Sequence, residues 1–270
     1  MNRVLAVALC LLWSSIFVEL RGTQSGAVTV PENSDAPASG ILVELFTSEG
    51  CSSCPPADEL LRKLDAQRTI ANSQIVVLGE HVDYWDRTGW RDRFSSRDYT
   101  DRQQEYAVRL GVPEPYTPQM VVDGKQEFVG NNPGSLEAAL RTAANAPKTS
   151  LSILAADIDG NNLLLKLKTT SLPPDHKRGD LYVAVADNSD ETQVHGGENS
   201  GRALRHVAVL RSLQKVAKVG PEGLTKDVTL RLPKDVEKNN LRVVAFVQES
   251  GNGRVLGSTV RILSRTTATR

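Results

Sequence analysis

Two cysteines separated by two residues are the clearest chemical feature of the sequence. Cys51 and Cys54 form a C-x-x-C motif between an apolar segment and a segment with helical periodicity. In that position the first cysteine would meet a helix N-terminus, whose unpaired N–H groups and partial positive charge stabilise a thiolate. A thiolate attacks disulfides, and a second thiol nearby can resolve the mixed disulfide. The motif therefore predicts thiol–disulfide exchange, with Cys51 attacking and Cys54 resolving, and a Cys51–Cys54 disulfide in the oxidised form.

The same two thiols allow two other interpretations. They could hold Cu(I) together with His81, because thiolates are soft ligands. A zinc site is disfavoured, since the sequence has no second C-x-x-C and no H-x₃-H pair. The disulfide could also be structural, in a non-catalytic binding protein whose working surface is the C-terminal half. We favour exchange because a disulfide that closes so short a loop stabilises a fold little, and we expect no resident cofactor or metal.

The segments around the motif predict the elements that position it. Apolar segments at 41–46 and 74–78 are typical of strands buried on both faces. Apolar side chains recur at helical spacing in three segments, which are 55–68, 97–110 and 135–143. Strands at 119–122 and 126–129 flank an Asp123-Gly124 turn signal. The resulting order, β-α-β-α-β-β-α, is that of an α/β thioredoxin-like domain.

Several residues on these elements are candidates for the site. In thioredoxin-like folds a cis-proline opens the third strand and faces the cysteine pair, and Thr117-Pro118 fits that element. Glu44 lies inside the first apolar strand, where burial would raise its pKa and let it exchange a proton with Cys54; alternatively it pairs with a cation. His81 and Trp85 follow the second strand at its carboxyl end and could support the site, or simply pack a loop.

Beyond Pro147 strand patterns replace helical periodicity. They lie at 150–157, 163–169, 181–186, 203–219, 228–232, 241–248 and 255–262. About seven short strands predict an all-β, sandwich-like domain. The Gly-rich segment 196–202 between two of them is expected to dock on the first domain, with His206 supporting it. We place the thioredoxin-like domain at 41–147 and the β-sandwich-like domain at 148–265.

The N-terminal residues predict export. Arg3 precedes an apolar stretch at 4–18, which is shorter than a bilayer span and typical of a secretory signal peptide. We assign 1–27 to the signal peptide and 28–40 to a flexible lead-in; a retained N-terminal anchor is the alternative. Removal of the signal peptide removes Cys10 and leaves only the C-x-x-C pair. The expected location is periplasmic or secreted, where disulfides persist, with no membrane span in the mature chain.

The charge composition limits the classes of molecule that the protein could bind. The 270 residues include 32 Lys and Arg and 32 Asp and Glu, so the formal net charge is zero. Such a balance lacks the excess of positive charge that is typical of nucleic-acid-binding proteins. The expected partners are protein thiols or disulfides as substrates, together with a redox partner protein.

Four longer motifs carry a resemblance to a known family. They are VELFTSEGCSSCPPAD, HVDYWDRTGW, YTPQMVVDG and GENSGRALRH. The chain resembles, over about residues 41–262, the secreted thioredoxin-like proteins grouped as domain-of-unknown-function family 1223. The resemblance implies a thioredoxin-like domain followed by a β-rich domain, and it supplies no substrate. Ser52-Ser53 stands where thioredoxins usually carry Gly-Pro, and no Trp precedes Cys51, so a thioredoxin redox potential is not transferable.

Overall fold

The first strand lies deep inside the protein, as its apolar sequence predicts. The computed structural model describes residues 39–263. Within them β1 (Gly40–Thr47) has no exposed residue and is flanked by strands on both sides. The signal peptide, Cys10 and all but the end of the lead-in lie outside the described residues, so these assignments stay predictions.

The regular elements of the described residues are three α-helices, twelve strands and one short 3₁₀ helix, Lys238–Asn240. The helices are α1 (Pro55–Gln67), α2 (Arg97–Leu110) and α3 (Pro133–Ala144). The remaining strands are β2 (Thr69–Ile70), β3 (Ser73–His81), β4 (Gln119–Val122), β5 (Gln126–Val129), β6 (Leu151–Asp159), β7 (Asn162–Thr169), β8 (Gly179–Gln193), β9 (Ala203–Val219), β10 (Leu224–Arg231), β11 (Leu241–Gln248) and β12 (Val255–Ile262). Most predicted elements are confirmed within two or three residues, but β2 and the length of β8 were not expected.

The expected fold class is wrong. We predicted an α/β thioredoxin-like domain followed by an all-β sandwich-like domain. The described residues instead contain far more strand than helix, and nine of their strands form one mixed sheet. Its order is β12-β11-β8-β9-β3-β1-β4-β5, with β2 beside β3. Strands from both sides of Pro147 therefore belong to the same sheet. The proposed domain boundaries themselves stay predictions.

The two halves of the sheet meet where β3 runs parallel to β9. Gly79 pairs with Val209 at this point. A Cβ atom at Gly79 would lie 3.2 Å from the Val207 carbonyl oxygen, so glycine permits the close approach of the two strands. β3 is buried along most of its length, because it has partner strands on both edges and helices on both faces.

Alternate residues of β1 face two different cores. Ile41, Val43 and Leu45 pack against α1 and α3. Leu42 faces the opposite side, where Tyr99 of α2 and Phe246 of β11 lie. This alternation decides which side chains of β1 can approach the start of α1 and which cannot.

A second, three-stranded sheet covers the far side of the C-terminal strands. Its order is β10-β7-β6. Leucines at alternate positions of β7 meet valines of β8 and β11 in one apolar core, as sandwich packing requires. No α-helix among residues 39–263 is long and apolar enough to cross a membrane.

Candidate functional site

Cys51 and Cys54 form a disulfide directly after β1. Their Cα atoms are 5.4 Å apart. Both cysteines are fully buried, while Ser52 and Ser53 between them are exposed. The loop thus turns its two hydroxyl side chains to solvent and its two sulphur atoms inward.

Helix α1 begins after the second cysteine rather than at the first. Cys54 is its N-cap residue, and Pro55 and Pro56, which have no N–H, fill the first two helical positions. The next two amides, of Ala57 and Asp58, both donate to the Cys54 carbonyl at 2.8 and 3.1 Å. The first turn therefore has few free N–H groups to offer a thiolate, which corrects the expectation that Cys51 sits at the helix N-terminus.

The Thr117–Pro118 segment lies beside the disulfide. The peptide bond between these residues is cis. Ser53 Oγ is 3.3 Å from Cys51 Sγ and 3.5 Å from the Thr117 carbonyl oxygen, so one exposed hydroxyl joins the two segments. Trp85 Nε1 donates to Thr117 Oγ1 at 2.8 Å. The structure therefore brings together Cys51, Thr117, Pro118 and Trp85, as the sequence predicted.

A loop from the C-terminal half closes over the same place; we call residues 194–202 the docking loop. The Asn199 side chain is fully buried and donates to the carbonyl oxygens of Glu49 and Cys51 at 2.9 and 3.0 Å. Glu198 Oε2 accepts from the Ser52 N–H at 3.1 Å. The predicted docking of this Gly-rich segment on the N-terminal half is confirmed.

Two histidines lie near Glu49, the residue two positions before Cys51, but they pack as part of the interior. His81 Nδ1 is 2.6 Å from Asp92 Oδ2, and its ring meets the ring of His206 edge-on with centroids 4.7 Å apart. His206 Nε2 is 3.5 Å from Glu49 Oε1, and its Nδ1 is 3.9 Å from Asp58 Oδ1. The two nitrogens of His206 thus face two carboxylates, one in the loop after β1 and one in the first turn of α1.

Neighbouring groups in this cluster shift the pKa values of His206, Glu49 and Asp92. Burial lowers the pKa of His206, but the Asp58 and Glu49 carboxylates outweigh it and raise that pKa to about 10. Burial raises the pKa of Glu49, yet the neighbouring His206 and a hydrogen bond from Trp90 Nε1 leave it below its usual value. Burial likewise opposes ionisation of Asp92, and His81 beside it lowers the pKa overall. The cluster therefore carries opposite charges in contact at neutral pH.

The structure does not bring Glu44 to the cysteines. Glu44 lies on the β1 face that meets α2, opposite the face against which α1 packs. Its Oε1 accepts from Arg102 Nε at 2.7 Å and its Oε2 accepts from the Tyr106 hydroxyl at 2.7 Å. Glu44 therefore pairs with a cation, which was the alternative role. Its expected role as a proton relay to Cys54 is wrong.

Arg102 is the centre of a second buried polar cluster. Its guanidinium also donates to Asn252 Oδ1 at 2.9 Å and to Gln248 Oε1 at 3.2 Å, both from the C-terminal half. Glu80 lies 3.7 Å away with neither carboxylate oxygen hydrogen-bonded. Burial raises the pKa of Glu80 well above its usual value, and the charge of Glu44 raises it further. This cluster joins the halves of the sheet and stands apart from the disulfide.

No group of three or more His, Cys, Asp or Glu within residues 39–263 has an arrangement that could hold a metal ion. An open cavity of about 650 Å³ lies beside α2, lined among others by Tyr99, Arg102, Tyr182 and Arg211. The cysteines do not line it.

The sequence did not identify several residues that are distant from Cys51 in the chain but hydrogen-bond within the two buried clusters. Asn199 was noted only as part of a Gly-rich segment, and nothing in its neighbours marks it as a donor to Cys51. Asp92 stands in a polar stretch without periodicity. Arg102 had a usable signal, because it lies on the same predicted helix as Tyr99 and Tyr106, one turn from each.

Solved structures similar to this chain share its overall fold. Protein AGR_C_4864 from Agrobacterium tumefaciens aligns with a TM-score of 0.66 and 24% identity, covering 86% of this chain and 98% of that one. HBP35 of Porphyromonas gingivalis aligns with a TM-score of 0.63 and 15% identity, covering 86% and 78%. At these identities the likeness shows the fold alone.

No curated protein is significantly similar to the chain. Residues 42–248 match a family described as "Protein of unknown function (DUF1223)". This match spans the disulfide, the Thr117–Pro118 segment and the docking loop, and it covers well over half of the sequence. The chain therefore belongs to the DUF1223 family.

Proposed function

We propose that this protein is a thiol–disulfide oxidoreductase in which Cys51 attacks and Cys54 resolves. The observation that carries the proposal is the meeting of the disulfide with the Thr117–Pro118 segment through the Ser53 hydroxyl. The exposed hydroxyl marks where a substrate cysteine would approach Cys51. The Thr117 backbone next to it would pair with the substrate peptide.

The proposed reaction exchanges two electrons. In the reduced protein, the Cys51 thiolate attacks one sulphur of a substrate disulfide, and the other substrate sulphur leaves as a thiolate and takes a proton. The Cys54 thiolate then attacks Cys51, which releases the second substrate thiol and forms the Cys51–Cys54 disulfide. The substrate is reduced and the protein oxidised, and a dithiol protein would reduce it again.

The surroundings of the pair favour the disulfide over the reduced form. Proteins that are strong oxidants stabilise a thiolate in their reduced form. Here two prolines replace N–H groups at the helix start, and the Cys54 carbonyl takes the next two. Glu198 adds a negative charge beside Ser52. We therefore expect a potential closer to the roughly −270 mV of reductants than to the roughly −120 mV of strong oxidants.

Burial of both sulphurs predicts slow exchange. A substrate must first displace Ser52 and Ser53, or the docking loop above them, because neither cysteine is exposed. Exposed disulfides that need no such motion react faster. We propose protein thiols and disulfides of an exported compartment as the partners; export itself rests on the sequence of residues 1–27.

Equilibration in glutathione and dithiothreitol buffers tests the proposal. The fraction of Cys51–Cys54 disulfide is measured by alkylation and mass spectrometry, and insulin reduction measures turnover. We expect a two-electron equilibrium and a turnover that Cys51→Ser abolishes, with Cys51→Ser/Cys54→Ser as the matched blank. A disulfide that stays closed under strongly reducing conditions while the fold persists would favour a structural role and a non-catalytic binding protein.

A further inference from the structure

A carboxylate lies at the entrance to the disulfide. Glu198 Oε2 is 3.1 Å from the N–H of Ser52, the residue directly after Cys51. Ser52, through its hydroxyl side chain and its N–H, lowers the pKa of Glu198. Because the side chain is exposed as well as hydrogen-bonded, it presents a negative charge to any molecule that approaches Cys51.

The protein interior fixes the position of this charge. Asn199, the next residue, is fully buried and donates to the carbonyl oxygens of Glu49 and Cys51. Arg202 Nη1 donates to Asn199 Oδ1 at 2.8 Å, which orients the amide. Glu198 is thus carried by an anchored residue rather than by a freely moving loop tip.

Among residues 39–263 no ion pair neutralises the charge of Glu198. Within the described range, 39–263, no Lys, Arg or His side chain takes part in lowering the pKa of Glu198; only Ser52 does. The nearby Arg202 uses its guanidinium on Asn199. A substrate would therefore meet this carboxylate uncompensated.

We propose that Glu198 is a specificity-determining residue that disfavours anionic thiols and disulfides and favours cationic or neutral ones. The inference rests on the proposed exchange at Cys51–Cys54. An anionic substrate is repelled by the Glu198 carboxylate next to Cys51. The carboxylate of such a substrate also cannot accept a hydrogen bond from the Ser52 N–H, because that group already donates to Glu198. The substrate class is a cysteine flanked by basic or neutral residues, in preference to small anionic disulfides such as glutathione disulfide.

The size of the effect follows from the exposure of Glu198. Two unit charges about 6 Å apart in water interact enough to change a rate constant roughly threefold. Glutathione disulfide and cystamine differ by several charges, so their rate ratio should change by about tenfold when Glu198 loses its charge. Salt should weaken the preference, since charges at the surface are screened.

Oxidation of the reduced full chain by three small disulfides tests the inference. Cystamine is cationic, bis(2-hydroxyethyl) disulfide is neutral and glutathione disulfide is anionic; each is reduced to two thiols as Cys51 and Cys54 become a disulfide. The measured quantity is the second-order rate constant at low salt for wild type, Glu198→Gln and the control Glu222→Gln, an exposed glutamate elsewhere. We expect the ratio of cystamine to glutathione disulfide to fall about tenfold in Glu198→Gln and to be unchanged in Glu222→Gln.

The outcomes separate this inference from the proposed function. Oxidation by all three disulfides with the same ratio in wild type and Glu198→Gln would overturn the role of Glu198 and leave the exchange reaction standing. A wild-type ratio that does not fall in 0.5 M salt would overturn it without any variant. Failure of every disulfide to oxidise the pair would overturn both.

Discussion

The side-chain nitrogen of Asn199 lies 3.0 Å from the carbonyl oxygen of Cys51, a residue 148 positions earlier in the chain. The same nitrogen donates to the Glu49 carbonyl at 2.9 Å. One buried amide therefore ties the docking loop to both sides of Gly50, just before the disulfide. The geometry of the C-x-x-C loop depends on the C-terminal half of the protein.

Replacement of Asn199 tests this dependence. In Asn199→Ala the buried Glu49 carbonyl loses the Asn199 donor, whereas the Cys51 carbonyl still accepts from the Cys54 N–H at 3.2 Å. An unsatisfied buried polar group costs about 1–3 kcal/mol. We expect the free energy of unfolding in urea to fall by that amount, and the equilibrium between dithiol and disulfide to shift. Ser200→Ala, at an exposed neighbouring position, is the control. Equal stability of the two variants would show that the contact is dispensable.

The buried pair of Glu44 and Arg102 predicts a large loss of stability when it is broken. Arg102→Met leaves the Glu44 carboxylate buried without its cation, and breaking such a pair typically costs about 3–5 kcal/mol. Arg109 on the same helix pairs with Glu249 at 3.4 Å near the surface, so Arg109→Met should cost less than about 1 kcal/mol. Urea midpoints of the two variants compare them directly. Similar midpoints would contradict a structural role for Arg102.

Glu80 predicts an unusual pH dependence of stability. Its pKa in the folded protein is raised, first by burial and then by Glu44, so the folded state holds a proton that the unfolded state loses above about pH 4.5. Stability should therefore decrease as pH rises through this range toward the folded pKa. Glu80→Gln removes the effect and should be more stabilising at pH 8 than at pH 5. A gain that is equal at the two pH values would refute the assignment.

His206 predicts the loss of stability at alkaline pH. Its pKa rises from 6.5 to about 10 on folding, because Asp58 and Glu49 outweigh burial. The stabilisation is complete below about pH 6.5 and disappears as pH rises through about 10. Thermal unfolding of wild type and His206→Gln between pH 6 and 10.5 measures it. We expect the difference in Tm to shrink with rising pH; a constant difference would mean that His206 stays neutral.

Local patterns identified most elements, because each depends on its own sequence. The predicted bounds of α2, with Gly111 after its last turn, are those of the structure. The apolar segment at 41–46 became the buried strand β1, and the turn at Asp123-Gly124 joins β4 to β5. We also expected one site to contain the cysteines, Thr117, Pro118 and Trp85, since these residues follow or begin strands at the same end of the sheet.

The pairing of distant strands could not be predicted in the same way. Nothing in the residues around Gly79 shows that β9 will pair there, because any apolar strand edge can accept another strand. The sequence also misled on Glu44: its isolation among apolar residues suggested a proton relay, but the alternation of β1 turns it toward Arg102. Charges that meet across the fold are visible only once the strands are placed.

Trapping of a mixed disulfide tests whether exchange begins at Cys51. Cys54→Ser and Cys51→Ser are each incubated with a basic peptide that carries an activated disulfide, and the products are mapped by mass spectrometry. We expect Cys54→Ser to retain a stable mixed disulfide at Cys51 and Cys51→Ser to form little adduct at Cys54. Equal trapping by both variants, or by neither while both remain folded, would contradict an exchange reaction that begins at Cys51.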